Sequence, residues 1–435
     1  MDNLRFVLFR EIPEDDNLRR QWNTLVEHVE KPQVFYTYEW ALAVQRAYGS
    51  TLRPLLFLAY DQQESLCGVA ALASDASGKR VSFLCATTGD YCDFLSVPEH
   101  RSDFVGGLFA ELRKLGIGEM AFANLPADSA TVPAMKQAAA RSRYLCFART
   151  AYRCAQVSLG SADQRVEGKS QLPRKKMLRR FLNTMGREAP VRLDHAWSWE
   201  AAEPILVQFM QAHVARFLVT GRISNMARPE RQVFLTELGK LLSQAGWLNL
   251  TRMMTGEKTV AWNYGFQFHG TWFWYQPTFD SDLEKYSPGF CLLAKLIEEA
   301  AENAALETVD LGLGAEEYKE RFSNQSRETL HVTLKTSAFE YGSEIARYQA
   351  ATIVKAFPRV ETAVRLLAAR VQSLKERREQ EGAHTLLWPG RLLRDLLWTE
   401  TEVFFYEWCG PLFPASSGLK LRPLDLNQLA TAAMK

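Results

Sequence analysis

The 435 residues include 52 Lys and Arg against 50 Asp and Glu, which leaves a net charge of +2. That balance excludes a protein whose whole surface binds polyanions, so any such contact needs a local patch. The chain is 47% hydrophobic and 23% charged, as in globular proteins, and is long enough for two or three domains. Its seven scattered cysteines form no CxxC pair, which argues against a disulfide scaffold or a zinc site.

Residues 1–160 alternate predicted helices and strands, which is typical of a mixed α/β module with a partly antiparallel sheet. Apolar periodicity and turn signals define these elements. The predicted helices are 15–29, 37–49 and 102–116, and the predicted strands are 52–61, 65–74, 79–86 and 119–126. These residues are expected to form the first module.

Residues 161–342 repeat the same logic with helices first, then an antiparallel meander, then strand, helix and strand. The predicted helices are 174–186, 199–221 and 229–246, and the meander strands are 247–256, 258–270 and 271–279. A helix from residue 288 and a short strand at 308–314 follow. Residues 343–435 are predicted to form a helical extension.

The stretch KYSPGFCLLAKLIEEA, residues 285–300, opens a predicted amphipathic helix. Ser287 suits the N-cap and Pro288 the first helical turn. Gly289 is poor for helix stability, but it lets an anion approach the unpaired N–H groups of a helix start. The pattern indicates a phosphate site, while a well-capped packing helix with a tolerated glycine is the alternative.

Several motifs together give the chain a family resemblance. They are Phe279-Asp280, then Tyr286-Ser287-Pro288-Gly289 with Leu292-Leu293, then Asp310, Gly314, Glu316 and Tyr318-Lys319. From about residue 20 to 330 the chain resembles the BioF2-like, CelD-type branch of the GNAT acyltransferase superfamily, which is related to the Fem peptidoglycan aminoacyltransferases. It departs from that pattern at Leu313 and Ala315, and its phosphate loop is reduced to one glycine.

The resemblance implies two tandem GNAT-like modules with mixed sheets, divided near residue 160, followed by the helical extension. It implies acyl-CoA as co-substrate and no metal. The residues that would bind the cofactor are Tyr286, Ser287, Gly289 and Phe290.

Three residues are candidates for the chemistry of acyl transfer. Asp310 would act as a base or orient the acceptor, and Tyr318 would donate a proton to the leaving sulfur. Lys319 would neutralise phosphate or oxyanion charge. The alternatives are a turn or capping aspartate, a core tyrosine and a solvated lysine.

Seven further residues are weaker candidates for binding the acceptor. Some lie in a turn-rich segment, some on one face of a helix and some on aromatic strands, and loops of the first kind commonly carry function. Ordinary turn, surface or core roles are the alternatives for all of them. They are Asp90, Tyr91, Asp93, His213, Arg216, Trp262 and Tyr275.

A basic run extends from Arg174 to Arg180. It is a candidate contact for a polyanion such as tRNA, an anionic membrane surface or an acidic polymer, and a solvated helix face is the alternative. No aromatic-rich RNA-binding signature accompanies it.

These features predict a cytoplasmic N-acyltransferase, since neither a signal peptide nor a membrane-length apolar stretch is evident. It would move an acyl group other than an aminoacyl group from acyl-CoA to an amino group of a sugar or peptide, in cell-envelope or exopolysaccharide biosynthesis. The alternatives are an aminoacyl-tRNA-dependent Fem-type transferase and a non-catalytic GNAT-fold scaffold of a polysaccharide synthase. The helical extension is a candidate partner-binding segment.

Overall fold

The structure, a computed structural model, describes residues 4–161, 165, 175–187, 189–219, 223–314 and 316–357. Strands and helices alternate through these ranges, and the predicted mixed α/β class is confirmed. The strands are β1 Arg5–Phe9, β2 Arg53–Tyr60, β3 Leu66–Ser74, β4 Arg80–Phe83, β5 Leu95–Ser96, β6 Glu119–Pro126, β7 Leu145–Ser158, β8 Val191–Ala196, β9 Leu248–Thr255, β10 Lys258–Phe268, β11 Thr271–Phe279, β12 Thr308–Asp310 and β13 Gln325–Lys335.

The described residues include ten α-helices. They are α1 Asp16–His28, α2 Tyr38–Tyr48, α3 Arg101–Lys114, α4 Thr131–Arg141, α5 Lys175–Met185, α6 Trp199–Val219, α7 Pro229–Gln244, α8 Pro288–Glu302, α9 Glu317–Glu320 and α10 Ala338–Ala356. Local sequence explains several starts. The side chains of Asp15 and Thr37 accept N–H groups of the first turns of α1 and α2, and Pro229 occupies the first turn of α7.

The described strands form one mixed sheet. Its order is β1-β2-β3-β4-β6-β13-β7-β12-β11-β10-β9-β8, and β5 pairs with β3 beside this path. Most neighbours are antiparallel, as the meander pattern predicts. Two pairs are parallel, and each extends over only three residues: β4 with β6, and β11 with β12.

Strand β13 lies between two strands of the N-terminal part of the chain. Thr329 is opposite Pro126 of β6 on one side and Tyr152 of β7 on the other. A strand from beyond residue 320 thus completes the part of the sheet formed by residues 1–160. The division of the chain at residues 160 and 342 remains a prediction, because the sheet is continuous across it.

Aromatic side chains join the two parts on one face of the sheet. The ring of Trp40, on α2, meets those of Phe266 and Tyr275 edge-on, at centroid distances of 5.5 and 5.4 Å. Phe35 meets Phe273 in the same way at 5.4 Å. Edge-on aromatic pairs add to the stabilisation from apolar burial. This packing fixes the N-terminal part of the chain against β10 and β11.

The last described helix, α10, begins the predicted helical extension and ends at Ala356. Residues 358–435, which include the rest of that extension, lie outside the described residues.

Candidate functional site

Strands β11 and β12 pair for only a short distance and then part. Thr271, Trp272 and Phe273 pair with residues 308–310, but β12 ends at Asp310 whereas β11 continues to Phe279. Within the described residues, the second half of β11 therefore has a strand partner on one side alone. Its alternate backbone N–H groups face this gap and are available to a bound group.

Asp310, at the end of β12, is fully hydrogen-bonded inside the protein. The hydroxyl of Tyr91 and the amide of Gln156 donate to its Oδ2 at 2.8 and 2.7 Å, and the N–H of Gly312 donates to its Oδ1 at 2.8 Å. Burial raises the pKa of this carboxyl, which is only 1% exposed. This geometry favours a positioning role for Asp310 over the proton transfer predicted from the sequence.

The turn after β12 places Lys319 beneath it. Gly312 and Gly314 adopt φ of +71° and +111°, a region that glycine occupies without steric cost. The ammonium of Lys319 donates to the carbonyl of Leu313 at 2.6 Å and lies 2.8 Å from a carboxylate oxygen of Glu316. Burial opposes its charge, but Tyr318 and Glu316 outweigh burial and raise the pKa of Lys319.

A loop from the N-terminal part brings Asp90 to this turn. A Cβ on Gly312 would lie 2.5 Å from Oδ2 of Asp90, so a side chain there would displace the carboxylate, and the φ of +71° also disfavours one. The loop is held on β6, because the N–H of Cys92 donates to the carbonyl of Asn124 at 2.9 Å and the Asn124 amide donates to the carbonyl of Gly89 at 3.0 Å. Asp90 itself remains partly exposed.

Asp90 has an unusual charge environment. Burial and the neighbouring Asp310 raise the pKa of its carboxyl to about 7, although Lys319 and Arg231 act in the opposite direction. A partly exposed carboxyl that titrates near neutral pH is suited to exchange a proton with a ligand.

Arg231 and Tyr275 complete the charged side of this cluster. The hydroxyl of Tyr275 donates to the carbonyl of Thr88 at 2.5 Å and accepts a hydrogen bond from Arg231 at 3.1 Å. Both side chains are buried. Tyr275, predicted to line an acceptor groove, thus joins β11 to the loop that carries Asp90.

Tyr318 lies beside the open half of β11. The indole N–H of Trp274 donates to its hydroxyl at 3.4 Å, and burial raises the pKa of the phenol. Tyr318 therefore stays protonated at neutral pH and can act as a proton donor.

The start of α8 leaves two N–H groups, those of Gly289 and Phe290, without an acceptor among the described residues. Ser287 occupies the N-cap position with a left-handed φ of +49°, but its side chain makes no capping hydrogen bond, contrary to the expected cap. The helix start therefore keeps the partial positive charge that attracts anions.

Phe279 and Arg216 border this helix start. A Cβ on Gly289 would lie 3.3 Å from the ring of Phe279, so the glycine makes room for that ring. The guanidinium of Arg216 lies over the same ring, 4.9 Å from its centroid. Phe290 in turn packs on Phe322, just beyond α9, at 4.6 Å between ring centroids. The α8 start and the Lys319 helix are thus neighbours.

The remaining sequence candidates have other surroundings. His213 is buried, its Nδ1 lies 2.8 Å from the Ser224 hydroxyl, and burial lowers its pKa to about 3. Trp262 is 6% exposed on β10. These positions fit packing roles, and the predicted acceptor contacts of both residues remain untested.

Asp93 and Tyr286 also have protein contacts. The carboxylate of Asp93 accepts the hydroxyl of Ser129 at 2.5 Å and the N–H of Phe94 at 2.7 Å, and burial raises its pKa to about 6. The ring of Tyr286 meets that of Phe181, on α5, at 6.4 Å. Tyr286 therefore links the α8 start to the basic helix.

The basic run forms α5, whose apolar side packs towards α8. Lys176, Arg179 and Arg180 are exposed, whereas Leu178 is buried. Between α5 and α8 lies a groove of about 510 Å³, to which Lys295 contributes a further cation. Arg174 lies outside the described residues.

Neither a cluster of metal ligands nor a membrane-spanning helix occurs in the described residues. No group of three His, Cys, Asp or Glu side chains there is arranged to hold a metal ion. None of the helices in the same ranges combines the length and apolarity needed to cross a membrane.

Sequence reasoning missed three residues of the cluster: Gln156, Arg231 and Trp274. Gln156 and Arg231 occupy a strand and a helix with no motif around them, and their proximity to Asp310 and Asp90 follows from the strand order. Trp274 had a signal, the aromatic run of β11, which was interpreted as groove lining at Tyr275 alone.

Comparison with protein families adds an assignment for the second part of the chain. Residues 173–320 match the family described as an acetyltransferase (GNAT) domain. The match includes α8, β12 and α9, and therefore Gly289, Asp310 and Lys319. A comparison with curated proteins finds no match.

Several solved structures are similar to this chain at low sequence identity. FemX is similar with a TM-score of 0.50 and 8% identity, over 72% of this chain and 95% of that one. L-PGS from Bacillus licheniformis gives 0.48 and 12%, over 75% and 93%. A tandem GNAT protein from the clavulanic acid biosynthesis pathway gives 0.46 and 12%, over 76% and 98%. The mixed α/β class is confirmed, the family match supports a GNAT-like fold for residues 173–320, and the BioF2-like, CelD-type branch remains a prediction.

The raised pKa of Asp90 predicts a pH-dependent stability. The pKa of its carboxyl rises from the ordinary value of 3.8 to about 7 on folding, so the folded protein holds an extra proton between these pH values. Stability should therefore fall as pH rises from about 4 to about 7, by at most about 4 kcal/mol. Asp90→Asn should remove this fall and be more stable than wild type at pH 8, as measured by urea unfolding. The exposed Asp16→Asn serves as control, and parallel curves for wild type and Asp90→Asn would contradict the assignment.

Proposed function

We propose that the chain is an N-acyltransferase that moves an acyl group from acyl-CoA to an amino group of a sugar or peptide. The observation that carries this proposal is the open end of the β11–β12 pair. A partly exposed carboxyl, a protonated phenol and an uncapped helix start surround it, and the phenol and the helix start lie in the segment that matches the GNAT acetyltransferase family. Acyl transfer needs a proton acceptor, a proton donor and a dock for an anionic carrier.

The start of α8 is the proposed dock for the pyrophosphate of the carrier. The free N–H groups of Gly289 and Phe290 and the helix dipole favour an anion there. Arg216, stacked on Phe279 beside this start, supplies a cation. Ser287 and Tyr286 precede the helix and border the same position.

The proposed chemistry assigns the base role to Asp90. The acceptor nitrogen attacks the thioester carbonyl carbon, the new C–N bond forms, and Asp90 takes the proton that the nitrogen loses. Backbone N–H groups of β11 that face the gap stabilise the oxyanion. As the C–S bond breaks, Tyr318 gives its proton to the departing thiolate. A base whose pKa lies near the working pH is the most effective.

Lys319 and Asp310 are proposed to position these groups. Lys319 holds the 312–314 turn through the Leu313 carbonyl, and its charge favours the carboxylate form of Asp90. Asp310 holds the same turn through Gly312 and orients Tyr91. Neither residue needs to exchange a proton in this scheme.

The acceptor and the pathway rest on the family resemblance alone. That resemblance supports an amino group on a sugar or peptide of the cell envelope or an exopolysaccharide. The competing proposal is a non-catalytic scaffold. Loss of activity in an isosteric variant would contradict it.

Donor binding is tested at Gly289. Gly289→Asp places a carboxylate at the proposed pyrophosphate site and should weaken acetyl-CoA binding at least tenfold, by isothermal titration calorimetry. Gly289→Ala adds the same Cβ contact to Phe279 without a charge and is the matched control. Equal affinities of the two variants, or no binding of any CoA thioester to the wild type at millimolar concentration, would contradict the dock.

The base is tested at Asp90. Asp90→Asn keeps the shape of the side chain but cannot accept a proton, and should lower kcat by roughly 10²–10⁴ with acyl-CoA binding unchanged. Wild-type activity should fall as pH drops below about 7, where Asp90 becomes protonated. Thiol release from acyl-CoA with an amine acceptor measures both. An Asp90→Asn enzyme with wild-type kcat and pH profile would remove the base role.

An aminoacyl-tRNA donor is the alternative that two observations favour. The fold is that of FemX, and Lys176, Arg179 and Arg180 form an exposed basic face beside α8. The fold does not separate the two donors, so the predicted exclusion of aminoacyl groups is not supported.

The two donors differ in salt dependence. If tRNA is the donor, charge reversal of Lys176, Arg179 and Arg180 to Glu should abolish tRNA binding, and wild-type affinity should fall steeply with salt. Reversal of the exposed Arg10, Lys79 and Arg141 is a control of equal charge. If tRNA binding is absent, or the two triple variants behave alike, this donor is removed.

A further inference from the structure

A polar pocket of about 310 Å³ lies where strands β6 and β13 part. The last pair between these strands is Pro126 with Thr329, and the start of β13, from Gln325 to Glu328, lies beyond it. Most of the residues around the pocket are polar or charged, including Lys31, Asp128, Gln156, Gln325, Ser326 and Arg327. An apolar ligand would leave these groups without hydrogen bonds, so the lining favours a polar one.

Arg327 is the most buried of the charged side chains that line the pocket, at 9% exposed. Its Nε donates to Oδ1 of Asp128 at 3.0 Å, and its guanidinium lies 4.9 Å from the centroid of the Tyr91 ring. Among the described residues no acceptor bonds to either Nη atom, and both atoms remain in contact with solvent. Buried donors normally have partners. The Nη pair of this arginine is therefore open to an acceptor that enters the pocket.

Positive charge exceeds negative charge beside this arginine. Lys31 also contacts Asp128, so a single carboxylate serves two cations. Two positive charges against one negative charge leave a net charge of +1 for the three side chains. This excess attracts an anion, and the burial of Arg327 limits the screening of its charge by salt.

Other acidic side chains nearby do not form ion pairs with these two cations within the described part of the chain. Glu328 is exposed, and the alternation of side chains along β13 turns it to the opposite face of the sheet from the arginine. Two more acidic residues border a smaller pocket beside this one. Glu30 is paired with Arg101 at 2.8 Å, and Asp93 accepts the hydroxyl of Ser129.

We propose that this pocket binds a small polar molecule that carries one carboxylate or phosphate group. The oxyanion accepts hydrogen bonds from both Nη groups of Arg327, the bidentate contact that guanidinium geometry favours. Gln156 and Gln325 are opposite each other on β7 and β13, on the same face of the sheet as Arg327, and their amide groups bind the rest of the molecule. The volume is roughly ten times the 30 Å³ that one water molecule occupies, which leaves room beyond the oxyanion.

The pocket is separate from the gap beside β11. Tyr91 lies between them, because Arg327 covers its ring, its hydroxyl donates to Asp310 at 2.8 Å, and the residue is fully buried. A ligand of the pocket therefore does not reach Asp90, and the inference does not depend on the proposed acyl transfer. The occupant still bears on the candidate site, since Gln156 donates to Asp310 at 2.7 Å.

Binding is tested on the full-length chain with acetate, inorganic phosphate and glucose 6-phosphate. Isothermal titration calorimetry at low salt should show saturable binding of at least one probe, and higher salt should weaken it. The comparison of acetate with the two phosphates identifies the oxyanion. If none of the three probes binds saturably at up to roughly 50 mM, the proposal is wrong.

Gln325→Glu tests the position of the oxyanion. Gln325 is exposed, so this isosteric change keeps the fold, and the new negative charge should weaken binding at least roughly fivefold. Gln62→Glu makes the same change in the exposed turn after β2 and is the matched control. Equal affinities of the two variants would place the probe elsewhere and overturn the proposal.

Arg327→Lys separates the guanidinium fork from its charge. Lysine keeps the charge but does not offer two parallel N–H donors, so affinity should fall roughly tenfold, whereas Arg20→Lys on the exposed side of α1 should leave it unchanged. Circular dichroism checks that Arg327→Lys is folded, and Gln325→Glu decides the matter if it is not.

Gly289→Asp separates this pocket from the start of α8. The variant should bind the probes as the wild type does, because the pocket lies on the other side of Tyr91. Loss of binding in Gly289→Asp would assign the anion to the start of α8 and overturn the proposal, while leaving the proposed donor dock intact.

Discussion

The carboxylate of Asp310 is the interaction on which the candidate site depends. It ends the short strand β12 and accepts hydrogen bonds from Tyr91, Gln156 and Gly312. One side chain thus joins a loop of the N-terminal part, the central strand β7 and the turn that holds Lys319. Each buried donor left unpaired in its absence would cost about 1–3 kcal/mol. The positions of the turn and the loop therefore depend on the same carboxylate.

The same constraint explains why Asp90 is the group that titrates near neutral pH. Two carboxylates close together in a buried setting cannot both ionise at their usual pKa. Asp310 has three hydrogen-bond donors that favour its charged form, whereas Asp90 has the charges of Lys319 and Arg231 and one backbone hydrogen bond, from Leu313. The proton is therefore held most readily by Asp90, which is also the more exposed of the two. Position and proton affinity agree on the same residue.

Sequence patterns predicted the local elements well but did not predict which of these elements contact each other. The aromatic strand, the helix start at Pro288 and the short strand that ends at Asp310 are set by neighbouring residues, and the structure has all three. The contact between Tyr91 and Asp310 joins residues 219 positions apart. It depends on the order of strands in the sheet, which periodicity does not encode. The prediction that Asp310 acts as a base or orients the acceptor stays a prediction, and the proposed scheme assigns the base role to Asp90.

Gly289 shows the limit in another way. The sequence analysis attributed Gly289 to the approach of an anion, which stays a prediction, whereas the structure shows that a Cβ there would lie 3.3 Å from the ring of Phe279, a residue of the preceding strand. Strand β13 is a larger example, because nothing in residues 325–335 indicates that they pair between β6 and β7. In both cases the sequence pattern is local, whereas the contacts that explain it come from residues of other strands.

The two short parallel pairs of the sheet differ in what lies beyond them. β4 and β6 pair over three residues, as β11 and β12 do, and could part in the same way. Beyond the first pair, however, the loop that carries Asp90 bonds to β6 through Cys92 and Asn124. That loop occupies the position that remains open beside β11. The loop thus closes the gap beside β6 in the N-terminal part of the chain and places the Asp90 carboxyl at the gap beside β11.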